Sequence, residues 1–176
     1  APTPQQTTQQ TTTNPPGSPT TPGTTAPQNG AAPGTPAGAP ASTTLTREAA
    51  LAKSPRVKIE APQVIGSIAL KGGVLDDVSL VTYRETTDPG SPPVVLLAPQ
   101  GTADAYFADY GWANVGGGKI KVPDADTLWT ADHDKLTPQQ PLTLSWNNGE
   151  GLTFHLRYEI DDTFMFAVTQ SVDNAR

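Results

Sequence analysis

The chain has 176 residues, with 17 acidic side chains against 11 basic ones for a formal net charge of −6, and it contains no cysteine. An acidic chain without a Lys/Arg cluster does not attract phosphate backbones, which argues against nucleic acid as a partner. The missing cysteine removes disulfides, thiol nucleophiles and thiolate metal sites together, without identifying a compartment.

From the N-terminus, residues 1–46 carry no charge, and nearly every position is Thr, Pro, Gln, Gly or Ala, as in "TPQQTTQQTTTNPPGSPTTPGTTAPQNG". Such a stretch has too little apolar side chain to offset about 1 to 2 kcal/mol per residue of backbone ordering entropy, so it is expected to be a disordered linker. Its prolines favour extended polyproline II, and a coil of this length averages roughly 35 to 40 Å end to end. "TREAALAKS", residues 46–54, reads either as a brief helical lead-in or as the last part of the linker. We place the division so that residues 1–53 are linker and residues 54–176 fold. No run approaches the roughly 18 apolar residues of a membrane span, and the N-terminus lacks the basic and apolar regions of a signal peptide.

The folded part reads as strand throughout. "RVKIEAP" alternates with Val57 and Ile59 on one face, and "QVIGSIAL" continues with Val64, Ile68 and Leu70. Gly72 and Gly73 supply positive φ cheaply for a hairpin turn, and the return strand carries Leu75, Val78, Leu80 and Thr82. The phase change between Leu75 and Val78 predicts a bulge near Asp76 and Asp77. "PPVVLLAP" is a short apolar strand bounded by prolines, and "DTLWTADHDKLT" a weaker strand entering a polar turn. The C-terminal pattern is the clearest. Leu142, Leu144 and Trp146, then Leu152, Phe154, Leu156, Tyr158 and Ile160, then Phe164, Phe166, Val168 and Val172 fall nearly all two apart. With "NNGEG" and "DD" at the reversals, this predicts a three-stranded antiparallel meander with one buried face.

Several groups invite a chemical reading. Asp76 and Asp77 are adjacent on a strand, so their carboxylates are expected to diverge to opposite faces as a solvated or bulge pair rather than converge on a metal or substrate. Asp161 and Asp162 read as a turn. Asp124, Asp126, Asp132 and Asp134 with His133 are the densest acidic group and suggest Ca²⁺. Their spacing lacks the central Gly and terminal Glu of an EF-hand loop, so a solvated turn is the better reading. His133 and His155 serve as a general base only with a nucleophile and an orienting carboxylate nearby, which no motif supplies; His155 has the phase of a surface or cross-strand residue. "ANVGGGKI" fails the P-loop pattern, since Ala113 stands for the first glycine and Ile120 for the Mg²⁺-binding hydroxyl, and reads as a loop tip. Trp112, Trp129 and Trp146 fit a sugar-stacking platform but more often belong to a core. The residues thus assign no catalytic, cofactor-binding or metal-binding position, and any substrate-binding residue is unknown.

The ordered series "GSIALKGG", "DDVSLVTYRET", "SPPVVLLAP", "AYFADYGW", "LTLSWNNGEGLTF" and "FAVTQSVDN" resembles the first periplasmic domain of the YidC family of bacterial membrane protein insertases, over essentially all of residues 54–176. The resemblance implies an all-β fold, an antiparallel β-supersandwich of the galactose mutarotase type, incomplete here at its C-terminus and preceded by the linker. It implies a segment in the periplasm of a multi-pass inner-membrane protein. There, a first spanning helix precedes the linker, five more follow the domain, and a membrane groove with a basic residue receives substrates. The resemblance then implies a noncatalytic scaffold without cofactors, contacting SecDF, the Sec translocon and nascent membrane proteins. A carbohydrate- or polymer-binding β-sandwich module is the alternative.

The abrupt change in composition makes limited proteolysis informative: it is expected to remove roughly the first fifty residues and leave a resistant core. A protected N-terminal segment contradicts the linker reading.

Overall fold

The computed structural model describes residues 44–175. Of the linker expected over residues 1–53, residues 1–43 lie outside the described residues, as does Arg176. One short helix, α1 (Arg47–Leu51), is followed by nine strands: β1 (Arg56–Glu60), β2 (Val64–Ala69), β3 (Val74–Arg84), β4 (Pro93–Leu97), β5 (Thr130–Ala131), β6 (Lys135–Leu136), β7 (Leu142–Asn147), β8 (Leu152–Ile160) and β9 (Phe166–Asn174). Of the two readings of residues 46–54, the structure shows the helical lead-in. The Thr46 hydroxyl accepts from the Ala49 amide, satisfying one of the orphan donors of the first turn.

The strands form a five-stranded sheet in the order β4-β3-β2-β1-β6 and a four-stranded sheet in the order β5-β7-β8-β9. Period-two alternation directs one face of each into a common core, where Val57, Ile59, Val64 and Ile68 of the first sheet meet Leu142, Leu144, Leu156 and Tyr158 of the second. The architecture is all-β and sandwich-like. One pairing departs from the antiparallel expectation: β1 and β6 run parallel, with Ile59 opposite Leu136. "DTLWTADHDKLT" also proves to be two strands rather than one. β5 pairs with β7 in the second sheet and β6 with β1 in the first, so this stretch carries the chain between layers.

The β2–β3 hairpin sets the spacing of the layers. Gly72 and Gly73 have φ of 78° and 65°. The Gly72 amide donates to Thr127 O at 2.7 Å, and the Trp129 amide donates to Leu70 O at 2.9 Å. These bonds draw residues 127–129 beside the turn and place the Trp129 ring beneath Gly73. A Cβ at Gly73 would stand 2.7 Å from Leu156 Cδ1, so this glycine answers both a left-handed backbone and a lack of room. The Tyr158 hydroxyl on β8 donates to Gly73 O at 2.6 Å, tying the second sheet to the first hairpin, and burial pushes its pKa up.

The meander β7–β8–β9 forms as expected, with Leu142 opposite Tyr158 and nine consecutive pairs joining β8 to β9. Its third strand is less covered than its alternation implied. Phe164, expected to open this strand, falls in the turn before it and is 40% exposed; within β9, Val172 is 41% exposed and Phe166 and Val168 are only half-buried. β9 lies at the sheet's edge, so alternation there marks a face without fixing how much of it is covered. β4 is likewise an edge strand despite its apolar sequence, with Val95 and Leu96 exposed. Register shifts along β3–β4 break the flatness of that edge, a common protection against further pairing.

Tyr158→Phe leaves Gly73 O buried without its donor, and a loss of about 1 to 3 kcal/mol is expected in urea unfolding followed by tryptophan fluorescence. Gly73→Ala is expected to cost at least as much, because strained φ adds to the contact with Leu156. Unchanged midpoints in both variants contradict this account of the hairpin.

Candidate functional site

The chemistry-bearing residues gather first on the outer face of the five-stranded sheet. In the β2–β3 ladder Ser67 pairs with Asp77 while the next residue, Ile68, pairs with Leu75. Asp76 is therefore the extra residue of a bulge, at the place the phase change predicted. The bulge also overturns the expected divergence of the two carboxylates. Leu75 and Val78 both face the core, so the inserted residue leaves Asp76 and Asp77 on the same outer side.

There they are held rather than solvated. Arg56 of β1 pairs with Asp76, and Arg47 of α1 pairs with Asp77. Ser67 joins the two pairs: its hydroxyl accepts from Arg56 Nε at 2.7 Å and donates to Asp77 Oδ2 at 2.5 Å. The result is a compensated chain of two guanidinium groups, one hydroxyl and two carboxylates. Asp76 is buried, and desolvation raises its pKa above the usual carboxylate value, against the opposing pull of Arg56. Gly66 permits the close approach of β3, because a Cβ there would meet Asp77 O at 1.8 Å.

Beside this network, a cleft of about 420 Å³ lies between α1, the β2–β3 hairpin and residues 99–109 and 125–126. Its walls carry cations and anions in equal number, and most are already matched. Arg56 holds Asp76, and Lys71 holds Asp126 at 2.8 Å, an interaction that raises the Lys71 pKa. What remains is a depression of mixed lining, with Ala50, Val74 and Phe107 beside the charged groups.

The second constellation sits on the outer face of the meander. His155 Nδ1 lies 3.0 Å from Ser145 Oγ, and its Nε2 lies 3.0 Å from Asp173 Oδ2. A nucleophile and a carboxylate thus flank the ring, although sequence spacing gave no sign of either. The signal was cross-strand register: Ser145 on β7 is directly opposite His155 on β8, and Asp173 on β9 is a diagonal neighbour. Acyl transfer needs donors aimed at a developing oxyanion. Ser145 lies between β5 and β8 in the sheet, its backbone engaged in ladders on both sides. The triple acts as a cross-strand tie, the role its phase suggested.

The acidic segment resolves into local turns. Asp124 accepts from Asp126 N and Thr127 Oγ1, bonds that depress its pKa, and Asp132 accepts from Thr143 N and pairs with His133 at 2.7 Å. Asp161 closes the β8–β9 turn by accepting from Thr163 N and Met165 N, while Asp162 is exposed beside it. Among the described residues no group of three or more His, Cys, Asp or Glu could hold a metal ion. Trp129 is buried, and Trp112 and Trp146 pack against the core, Trp112 edge-to-face with Phe154 and Trp146 tilted against it. Trp112 is also tilted against Trp129, and the Lys121 ammonium lies over the Trp146 ring, so these aromatic rings are engaged within the fold. The 113–120 segment is an exposed loop tip rimming an apolar recess formed with Leu152 and Phe154.

The profile of the YidC periplasmic domain family matches residues 56–176, and the chain belongs to that family. It is 51% identical over 138 residues to the membrane protein insertase YidC of Bradyrhizobium diazoefficiens, 52% over 137 to that of Methylobacterium nodulans and 49% over 138 to that of Caulobacter vibrioides. Each comparison covers 78% of this chain and 22% of the relative, so the match spans about a fifth of these relatives' length. No solved structure matches the chain significantly.

Asp76→Asn removes the counter-charge of Arg56 but also a desolvated carboxylate whose pKa is raised, so the two effects oppose and the urea midpoint at neutral pH is expected to change by no more than about 1 kcal/mol. The raised pKa fixes the sign of the pH dependence. Between the ordinary value of 3.8 and the folded value, the native state binds the proton more tightly. The contribution of this group is thus complete below the ordinary value and is lost as pH rises through the folded one. Urea midpoints measured across this range are expected to show that component in the parent and not in Asp76→Asn. Identical pH profiles contradict it.

Proposed function

We propose that this chain serves as a noncatalytic interaction domain of a membrane protein insertase, held in the periplasm of a multi-pass inner-membrane protein. On this reading it scaffolds contacts with SecDF and the Sec translocon near emerging membrane proteins, while the insertion chemistry resides elsewhere in the longer polypeptide. Its two sheets are then the first part of a galactose mutarotase-like supersandwich. The observation that carries the proposal is the family match over residues 56–176. The site geometry supports it, because Asp76, Asp77 and His155 are engaged in structural pairs rather than turned toward a substrate.

The test uses the full-length insertase with residues 54–176 removed, expressed in cells depleted of their own copy. Insertion of model substrates is expected to persist while SecDF no longer copurifies. Loss of insertion from a stable, membrane-integrated variant, or unchanged SecDF recovery, overturns the proposal.

A further inference from the structure

Residues 44–53 are held to the sandwich by different means from the strands they precede. α1 is a single turn of five residues, and a helix that short does not persist alone in water. Only Ala50 of the helix is buried, and it stands outside the main core cluster. Leu45, against Gly101, and Leu51 are only half-buried, and polar contacts fix the rest of the segment. The Arg47 guanidinium pairs with Asp77 and also reaches Ser79 Oγ at 3.4 Å and Leu97 O at 3.2 Å, spanning β3 and the edge strand β4. The Leu45 amide donates to Gly101 O at 2.8 Å, and the Ser54 hydroxyl just beyond accepts from Lys71 N at 3.0 Å.

We propose that residues 44–53 form a releasable strap, latched by Arg47 in the carboxylate bulge, that opens without unfolding the sandwich. The two states follow from the contacts. Once Arg47 leaves Asp77, only Ala50 and the half-buried Leu45 and Leu51 remain to hold one helical turn, so the turn melts with the latch. The ladders of β1, β2 and β3 include no residue of the strap and survive its departure. Opening adds ten residues to the uncharged segment ahead of it, a gain in reach of up to about 33 to 36 Å when extended. It also bares Asp77, Ser79 and the Leu97 carbonyl, three acceptors grouped around the place of one guanidinium.

Native-state hydrogen exchange on the whole chain tests the strap. In the unaltered protein the amides of Ala49, Ala50 and Ala52 are expected to exchange together, at least about 100-fold faster than ladder amides such as those of Leu144 and Leu156. In Arg47→Ala they are expected to speed by a further ~10-fold or more with the ladder amides unchanged. Asp77→Asn is expected to do the same, and the double variant no more than the faster single one. Strap amides that exchange only as slowly as the ladder in the unaltered protein overturn the proposal without any variant. So does an Arg47→Ala protein whose strap amides are unchanged.

Discussion

One inserted residue governs the first sheet. Without Asp76, β3 would alternate regularly past Ser67 and carry a single carboxylate outward at this level. With it, Leu75 and Val78 still reach the core, and two carboxylates face outward side by side. Two adjacent negative charges of limited exposure are tolerable only when matched, and the match comes from Arg56 on β1 and Arg47 on α1. The bulge therefore reaches beyond its own strand: it fixes how β1 is decorated and where the segment ahead of β1 is fastened.

The inner side of the same hairpin works by sterics. Gly73 leaves room for Leu156 and the Trp129 ring, and its carbonyl receives the Tyr158 hydroxyl. A larger residue at that turn would push the layers apart just where the buried hydroxyl needs its acceptor. Ions organise the outer face and space the inner one, and the two effects meet within residues 72–77. Elsewhere the polar side chains serve the same end: Asp161 closes a turn, and Ser145, His155 and Asp173 tie three strands.

Strands and their faces were legible in the sequence because burial on one side of a sheet imposes a period of two. Val57 and Ile59, or the run from Leu152 to Ile160, show it directly. The bulge was legible for the same reason, as a break of that period between Leu75 and Val78. What the bulge does to its side chains was not. Strict alternation sends Asp76 and Asp77 apart, and only the ladder register reveals that a bulge turns both outward. Partners were hidden for a different cause: Arg47 and Arg56 lie 30 and 20 residues from the carboxylates they hold, and no local pattern encodes such a distance. The sheet exchange between β5 and β6 was hidden as well, since two residues are too few to display a period.

The outer face of the first sheet depends on Asp76 being an insertion in an otherwise regular strand, and deleting one of the two adjacent aspartates tests this most directly. The shortened β3 would read Leu-Asp-Val, with core, outer and core positions in strict alternation. Ile68 opposite Leu75 and Gly66 opposite Val78 would remain as cross-strand neighbours. The deletion is predicted to fold cooperatively with those two contacts intact by NMR, while one ion pair is lost because a single carboxylate remains for Arg47 and Arg56. A deletion variant that lacks cooperative unfolding, or that folds with the pairing of β2 and β3 shifted by a residue, would contradict it.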